Sequence, residues 1–110
     1  MSITREQRIT ALLSAIEQEM QDIGLWQSQS PSADALASTQ PFCVDTLLFS
    51  EWVQWLMLPR LQQMLQSHTP LPQNSNMHAM AEEAFKRVNV DTKHLLELIK
   101  ELDAALTVKH

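Results

Sequence analysis

The chain has 110 residues, 45% of them hydrophobic and 19% charged, with a formal net charge of −5 and a pI of about 5.2. These values fit one domain with a modest core and exclude wholesale disorder. The acidic balance argues against autonomous nucleic-acid binding, whose electrostatic footprint is basic.

Cys43 is the only cysteine, which excludes an internal disulfide. The opening residues are polar and charged, and no apolar run approaches the ~18 residues that cross a bilayer, so a cytoplasmic, non-membrane protein is expected. There is one glycine and no tyrosine. Ala, Leu, Met, Gln and Glu dominate, side chains that lose little rotamer freedom in a helix. The expected class is all-α: a compact bundle of four main helices plus a short one, occupying residues 1–110 as a single domain.

Thr4 and Gln7 have capping-box spacing, and Glu6 falls where the helix dipole favours negative charge. Ile9, Leu12, Leu13, Ile16, Met20 and Ile23 then recur in steps of three and four along one stripe. Gly24 is placed to end this helix in the left-handed conformation, with Leu25 folding back towards Met20. Residues 25–44 are less regular, but a structureless loop of this length is unusual in a compact domain. Ser30-Pro31 is read as opening a short helix with Pro31 at its first position, giving one or two turns around Ala33 to Ala37. Pro41 then breaks the chain.

A long helix is expected from Asp45 or Ser50 to about Ser67. Phe49, Trp52, Val53, Trp55, Leu56, Met57 and Leu58 make it apolar on most sides, with Glu51, Gln54 and Gln62 as its polar strip. Such a helix belongs in the middle of a bundle. A fully buried tryptophan here would cost about 3–5 kcal/mol on replacement by alanine. Pro59 removes an N–H and presses on the turn at Trp55, so this central helix is expected to kink there. Residues 66–75, with Pro70 and Pro72, read as a linker. Asn76 or Ser75 is the expected cap of a helix carrying Met77, Met80, Ala81, Ala84, Phe85 and Val88. Asp91 is the expected cap of the last helix, with Leu95, Leu96, Ile99, Leu102 and Leu106 inward and a Lys93–Glu97 pair outward. Thr107 to His110 is expected to fray.

Chemistry finds little support. His68, His78, His94 and His110 contain no i, i+4 pair, and no paired-cysteine motif exists, so no zinc pattern is present. Cys43, between Phe42 and Val44, reads as a small buried hydrophobe rather than a nucleophile. Glu82 and Glu83 are adjacent, hence divergent on a helix, while Glu97 and Glu101 read as a solvated face. A single glycine excludes a glycine-rich phosphate loop. No catalytic residue, metal ligand or cofactor is assigned.

Two constellations remain as contact candidates. Trp52 and Trp55 with Arg60 are the residue types of an interface hot spot, or of core where enclosed. Arg5 and Arg8 with Lys86 and Arg87 would form a basic patch if folding joined them.

Pro41-Phe42, Asp45-Thr46-Leu47, Phe49, Trp52, Gln54-Trp55, Pro59-Arg60 and Met80-Ala81-Glu82-Glu83-Ala84 carry a resemblance. Over nearly the whole chain the sequence resembles the YqcC-like family of small bacterial proteins, a domain of unknown function with an all-helical bundle fold. Members are often labelled as similar to tRNA pseudouridine synthase C, a label attributed to a neighbouring gene rather than to shared chemistry. Such synthases use a catalytic aspartate, often within Arg-Leu-Asp, in a large strand-rich domain. Here the nearest match is Arg60-Leu61-Gln62, which lacks the carboxylate.

The resemblance therefore implies a non-enzymatic accessory protein that binds a tRNA pseudouridine synthase or its tRNA complex, through Trp55, Arg60, Trp52 and loop residues from 25–44. The alternatives are direct RNA binding through the basic clusters and an exposed tryptophan, a small enzyme using Asp45, Cys43 or a histidine, and a homodimer that buries an apolar face.

Overall fold

The computed structural model describes residues 3–107. Its order is α1 (Arg5–Asp22), α2 (Ala33–Leu36), a 3-10 turn (Pro41–Cys43), α3 (Phe49–Trp52), a π-turn (Val53–Met57), α4 (Leu58–Gln66), α5 (Met77–Phe85) and α6 (Lys93–Leu106). The segments from α3 to α4 form one continuous helix over residues 49–66, termed the tryptophan helix below. The fold is an all-α bundle of four main helices plus short ones, and no strand occurs among the described residues.

The first helix is set by its own sequence. The Thr4 hydroxyl accepts from the Gln7 N–H at 3.0 Å, and the Gln7 side chain accepts from the Thr4 N–H at 3.0 Å. Ile9, Leu12, Leu13, Ile16 and Met20 are buried. Each side chain of this kind stabilises the fold by about 1.5–3 kcal/mol. Gly24 adopts φ +80°, so the Leu25 N–H reaches the Met20 carbonyl at 2.9 Å and the helix ends as expected. α2 starts two residues later than read: Ser32, not Ser30, caps it by accepting from the Ala35 N–H at 3.1 Å, and Pro31 lies outside the helix.

Around Pro59 the backbone remains helical, with φ −61° and ψ −50° at Leu58. The irregularity takes the form of the π-turn immediately before it, where the Leu58 N–H bonds to the Val53 carbonyl. The wider turn relieves the proline ring's pressure on the Trp55 carbonyl, and Pro59 falls at the start of α4, where the missing N–H matters least. His68 then takes φ +55° and lets the Thr69 N–H close on the Met64 carbonyl at 3.0 Å. This is the same stop that Gly24 provides for α1, made here without glycine.

The broadest helix pairing is α1 with α6, not a wrap around the tryptophan helix. The two run antiparallel, because Arg5 at the start of α1 donates to the carbonyls of Ala105 at 2.9 Å and Leu106 at 2.8 Å at the end of α6. A cation at a helix C-terminus opposes the dipole and satisfies carbonyls that lack helical partners. Leu95, Leu98, Ile99, Leu102 and Leu106 bury the inner face of α6. The tryptophan helix packs α4 against α1 and α3 against α5.

Asn76 holds the N-cap position of α5, as expected, but its side chain makes no capping bond. The acceptor is Asp103 of α6, only 9% exposed. Its Oδ1 accepts from the Ser75 hydroxyl at 2.6 Å and the Met77 N–H at 2.9 Å, and its Oδ2 accepts from the His78 N–H at 2.8 Å. The N-cap of α6 is Thr92 rather than the expected Asp91; Asp91, one residue earlier, accepts from the Lys93 N–H at 3.0 Å. The Lys93–Glu97 ion pair does not form; among the described residues Glu83 and Lys86 make a salt bridge, and His78 Nδ1 lies 3.1 Å from Glu82, a contact that is ionic only with the imidazole protonated. The expected fraying concerns Thr107, which is half-buried, and residues 108–110, which lie outside the described range together with His110.

Asp103→Ala removes three hydrogen bonds to a charged acceptor and leaves the buried Met77 N–H unpaired. The expected loss is about 2–4 kcal/mol in urea unfolding, with Asp103→Asn intermediate. A loss under about 1 kcal/mol would show that α5 is held by its apolar face alone.

Candidate functional site

Two surfaces have the chemistry of a contact site, and they are built differently. The first surrounds Trp55. Gln54, placed on the polar strip by the sequence, is instead 4% exposed. Its side chain forms a reciprocal pair with the backbone of Gln27 in the loop after α1: the Gln27 N–H donates to Gln54 Oε1 at 2.8 Å, and Gln54 Nε2 donates to the Gln27 carbonyl at 2.7 Å. The Gln27 side chain in turn accepts from Trp55 Nε1 at 3.1 Å and donates to Glu51 Oε2 at 3.2 Å. This network locks the loop to the tryptophan helix and fixes the Trp55 ring.

Trp55 is half-buried and Arg60 is exposed. Trp52, also half-buried, packs edge-on against Phe42 with ring centroids 4.8 Å apart and lies 5.5 Å from Phe49. Neither tryptophan is fully enclosed, so alanine substitution costs less than the fully buried figure. Trp52 belongs to an aromatic cluster that continues through Phe49 to Phe85, at 5.7 Å. Trp55 faces a shallow surface with Trp26, Pro59 and Gln62.

The second surface was not read from the sequence. It is a groove of about 440 Å³ between the turn that follows Pro41 and the outer face of α5. Its floor is Leu47, Phe49 and Phe85, all buried. One wall is Val44 and Leu48, which are 58% and 68% exposed. The other is Met80, Ala84 and Val88 at successive steps of four, half-buried against the core. Ordinary surface apolar residues are scattered; these are contiguous.

The backbone at the groove is strained. Phe42 and Cys43 are consecutive non-glycine residues in the left-handed region, with φ of 56° and 50°. Each such residue costs on the order of 1–3 kcal/mol and persists only where its surroundings fix it. Here Phe42 is fixed by Trp52 and Phe49, and Cys43 is buried with its thiol 3.9 Å from the Ser38 carbonyl. Asp45 accepts from the Ser38 hydroxyl at 2.6 Å, and Thr46 donates to the Ala35 carbonyl at 2.7 Å. Asp45 therefore does not start the long helix; the Leu48 N–H does so by donating to Glu51 Oε1 at 2.8 Å. The result is a rigid turn that presents Val44 and Leu48 to solvent.

The four basic residues do not converge. Arg5 is engaged at the C-terminal end of α6, whereas Lys86 and Arg87 follow α5, whose C-terminal end lies at the opposite end of α6, a distance of roughly 20 Å for 14 residues. Arg8 is exposed on α1, beside Glu101. Lys86 is paired with Glu83 at 2.7 Å. That hydrogen bond, reinforced by charge, holds the Glu83 carboxyl below its ordinary value and raises the Lys86 ammonium, so the pair stays ionised at neutral pH. Among the described residues no group of three His, Cys, Asp or Glu side chains is placed to hold a metal, and no helix is long and apolar enough to cross a membrane.

Comparison with known proteins places this architecture. A family model described as DUF446, tRNA pseudouridine synthase C, matches residues 8–105, so the chain belongs to this YqcC-like family. An uncharacterized protein of Haemophilus influenzae is 39% identical over 77 residues, covering 70% of this chain and 73% of that one. A protein of Pectobacterium carotovorum named tRNA pseudouridine synthase C is 36% identical over 72 residues, covering 66% of this chain but 19% of that one. The solution structure of YqcC from Escherichia coli superposes with a TM-score of 0.82 at 28% identity, over 98% of this chain and 96% of that one.

Gln54→Leu leaves the Gln27 N–H and carbonyl without their partners. It is expected to destabilise the fold by about 1–3 kcal/mol and to shift tryptophan fluorescence as the Trp55 ring loses its fixed hydrogen bond. Unchanged emission with unchanged unfolding would show that the loop is held by Trp26 and Leu25 instead.

Proposed function

We propose that this chain is a non-enzymatic accessory domain that binds a tRNA pseudouridine synthase or its tRNA complex and acts through that enzyme. The observation that carries a binding role is the groove, because a contiguous exposed apolar surface rimmed by charge is characteristic of a partner site. The choice of partner draws on the Pectobacterium relative. Its 72 matched residues are 19% of a chain that is therefore about 380 residues long, so a domain like this one shares a polypeptide with roughly 300 further residues under the synthase's name. A tether supplies effective concentration; without one, an interface has to supply the affinity.

The disposition of the polar groups also favours binding over catalysis. Asp103, the buried carboxylate, is saturated by three donors as a helix cap. Asp45 is held by Ser38, and Cys43 faces a backbone carbonyl. In Arg60-Leu61-Gln62 the middle residue is buried and the outer two are exposed, with no carboxylate in the segment. The direct RNA-binding alternative loses its main support, since the two basic clusters occupy opposite ends of α6.

The test is calorimetric titration of the purified chain with the tRNA pseudouridine synthase of its host. A one-to-one complex of roughly micromolar affinity or tighter is expected, changing little between moderate and low salt. Two results overturn the reading: no heat or co-elution at ~100 µM of both proteins, or pseudouridine formation by the chain without the synthase. Affinity for tRNA alone that falls steeply with salt would select the RNA-binding alternative.

A further inference from the structure

Resting on that accessory role, we infer that the groove beside α5 takes an amphipathic helix of the synthase, one that presents a row of large apolar side chains and a carboxylate for Arg87. One side of the groove is solvent-exposed apolar surface, Val44 and Leu48, and the other is Met80 and Ala84 on α5 with Val88 just beyond its end, at successive steps of four. Apolar anchors at successive turns of an incoming helix match that spacing.

The charge argues for the carboxylate. Glu83 and Arg87 both line the groove, four residues apart on the same side. Glu83 is already neutralised by Lys86 at 2.7 Å. Arg87 has no carboxylate within ion-pairing distance among the described residues. Glu83 faces two cations, Lys86 in a hydrogen-bonded pair and Arg87 more weakly through space, so this edge of the groove carries a surplus positive charge that an incoming carboxylate completes.

Other occupants fit less well. Stacking a nucleobase requires an open aromatic face, but Phe42 is packed edge-on against Trp52 and the other rings are buried in the floor. A second copy would set one concave face against another, leaving the floor unfilled and bringing a Glu83 whose charge is already paired.

The experiment titrates the synthase with variants of the full chain. Val44 and Leu48 are exposed, so Val44→Asp and Leu48→Asp should leave circular dichroism and unfolding unchanged while weakening the complex at least tenfold. Arg87→Glu should weaken it about fivefold or more, and hydrogen exchange should show a helical segment of the synthase protected on binding. Arg60→Glu, at an exposed position outside the groove's lining, should have no effect. A complex that forms normally with Leu48→Asp, or one weakened instead by Arg60→Glu and Trp55→Ala, overturns the groove while the accessory role stands. A wild-type dimer in sedimentation that Leu48→Asp dissociates assigns the groove to a second copy and overturns the inference. Absence of any complex with the wild-type chain overturns the accessory role and the inference with it.

Discussion

The Asp103 carboxylate is the contact on which the arrangement of the bundle depends. α5 has nine residues and no side-chain cap of its own. A helix that short is marginal in isolation, because its first N–H groups lack partners and nucleation is unfavourable. Asp103 supplies those partners from α6 and fixes α5 antiparallel to it. That placement brings Phe85 against Phe49 and sets Met80, Ala84 and Val88 opposite Val44 and Leu48. Arg5 makes the converse contact at the last carbonyls of α6, bridging also to the Pro72 carbonyl at 3.3 Å. Two charged side chains, each placed on the end of another helix, therefore tie α1, α5 and α6 together.

A second constraint originates in Pro59. The π-turn that accommodates it spans Val53–Met57 and contains both Gln54 and Trp55. Extra-wide turns of this kind commonly reorient side chains at sites of contact. Here Gln54 is turned inward, where it would be destabilising without partners, and the Gln27 backbone satisfies it on both sides. The loop after α1 is consequently part of the scaffold. Its polar contacts are internal, which leaves Trp55 with its N–H already engaged and only part of its ring available.

Legibility in the sequence follows the range of the interactions. α1 was readable end to end because its capping box, apolar stripe and terminal Gly24 all lie within a few residues of the positions they control. The stop at His68 was not, since a left-handed histidine carries no glycine signal. Asp103 drew no reading at all, and Gln54 was placed on a polar strip. Both are explained by partners 25 or more residues away, which periodicity does not reveal. Trp55 and Arg60 drew attention as residue types enriched in hot spots. The groove did not, because its exposed wall comes from a segment without regular periodicity. The available signal was modest: Val44 and Leu48, four apart and apolar, just ahead of a helix start and just after Pro41.

The distribution of satisfied groups gives the remaining argument for where binding capacity lies. Among the described residues, no buried side-chain nitrogen or oxygen lacks a hydrogen-bond partner. Asp103, Gln54 and Arg5 are committed to holding helices and a loop in place, and Lys86 and Glu83 to one another. At the groove, apolar area at Val44 and Leu48 is held outward by a strained turn that the aromatic cluster braces, and Arg87 lies at its edge without an ion pair among the described residues. Strain maintained beneath exposed apolar side chains is costly for a surface with no partner and reasonable for one shaped in advance for its partner, because a preorganised turn need not lose conformational entropy when it is covered.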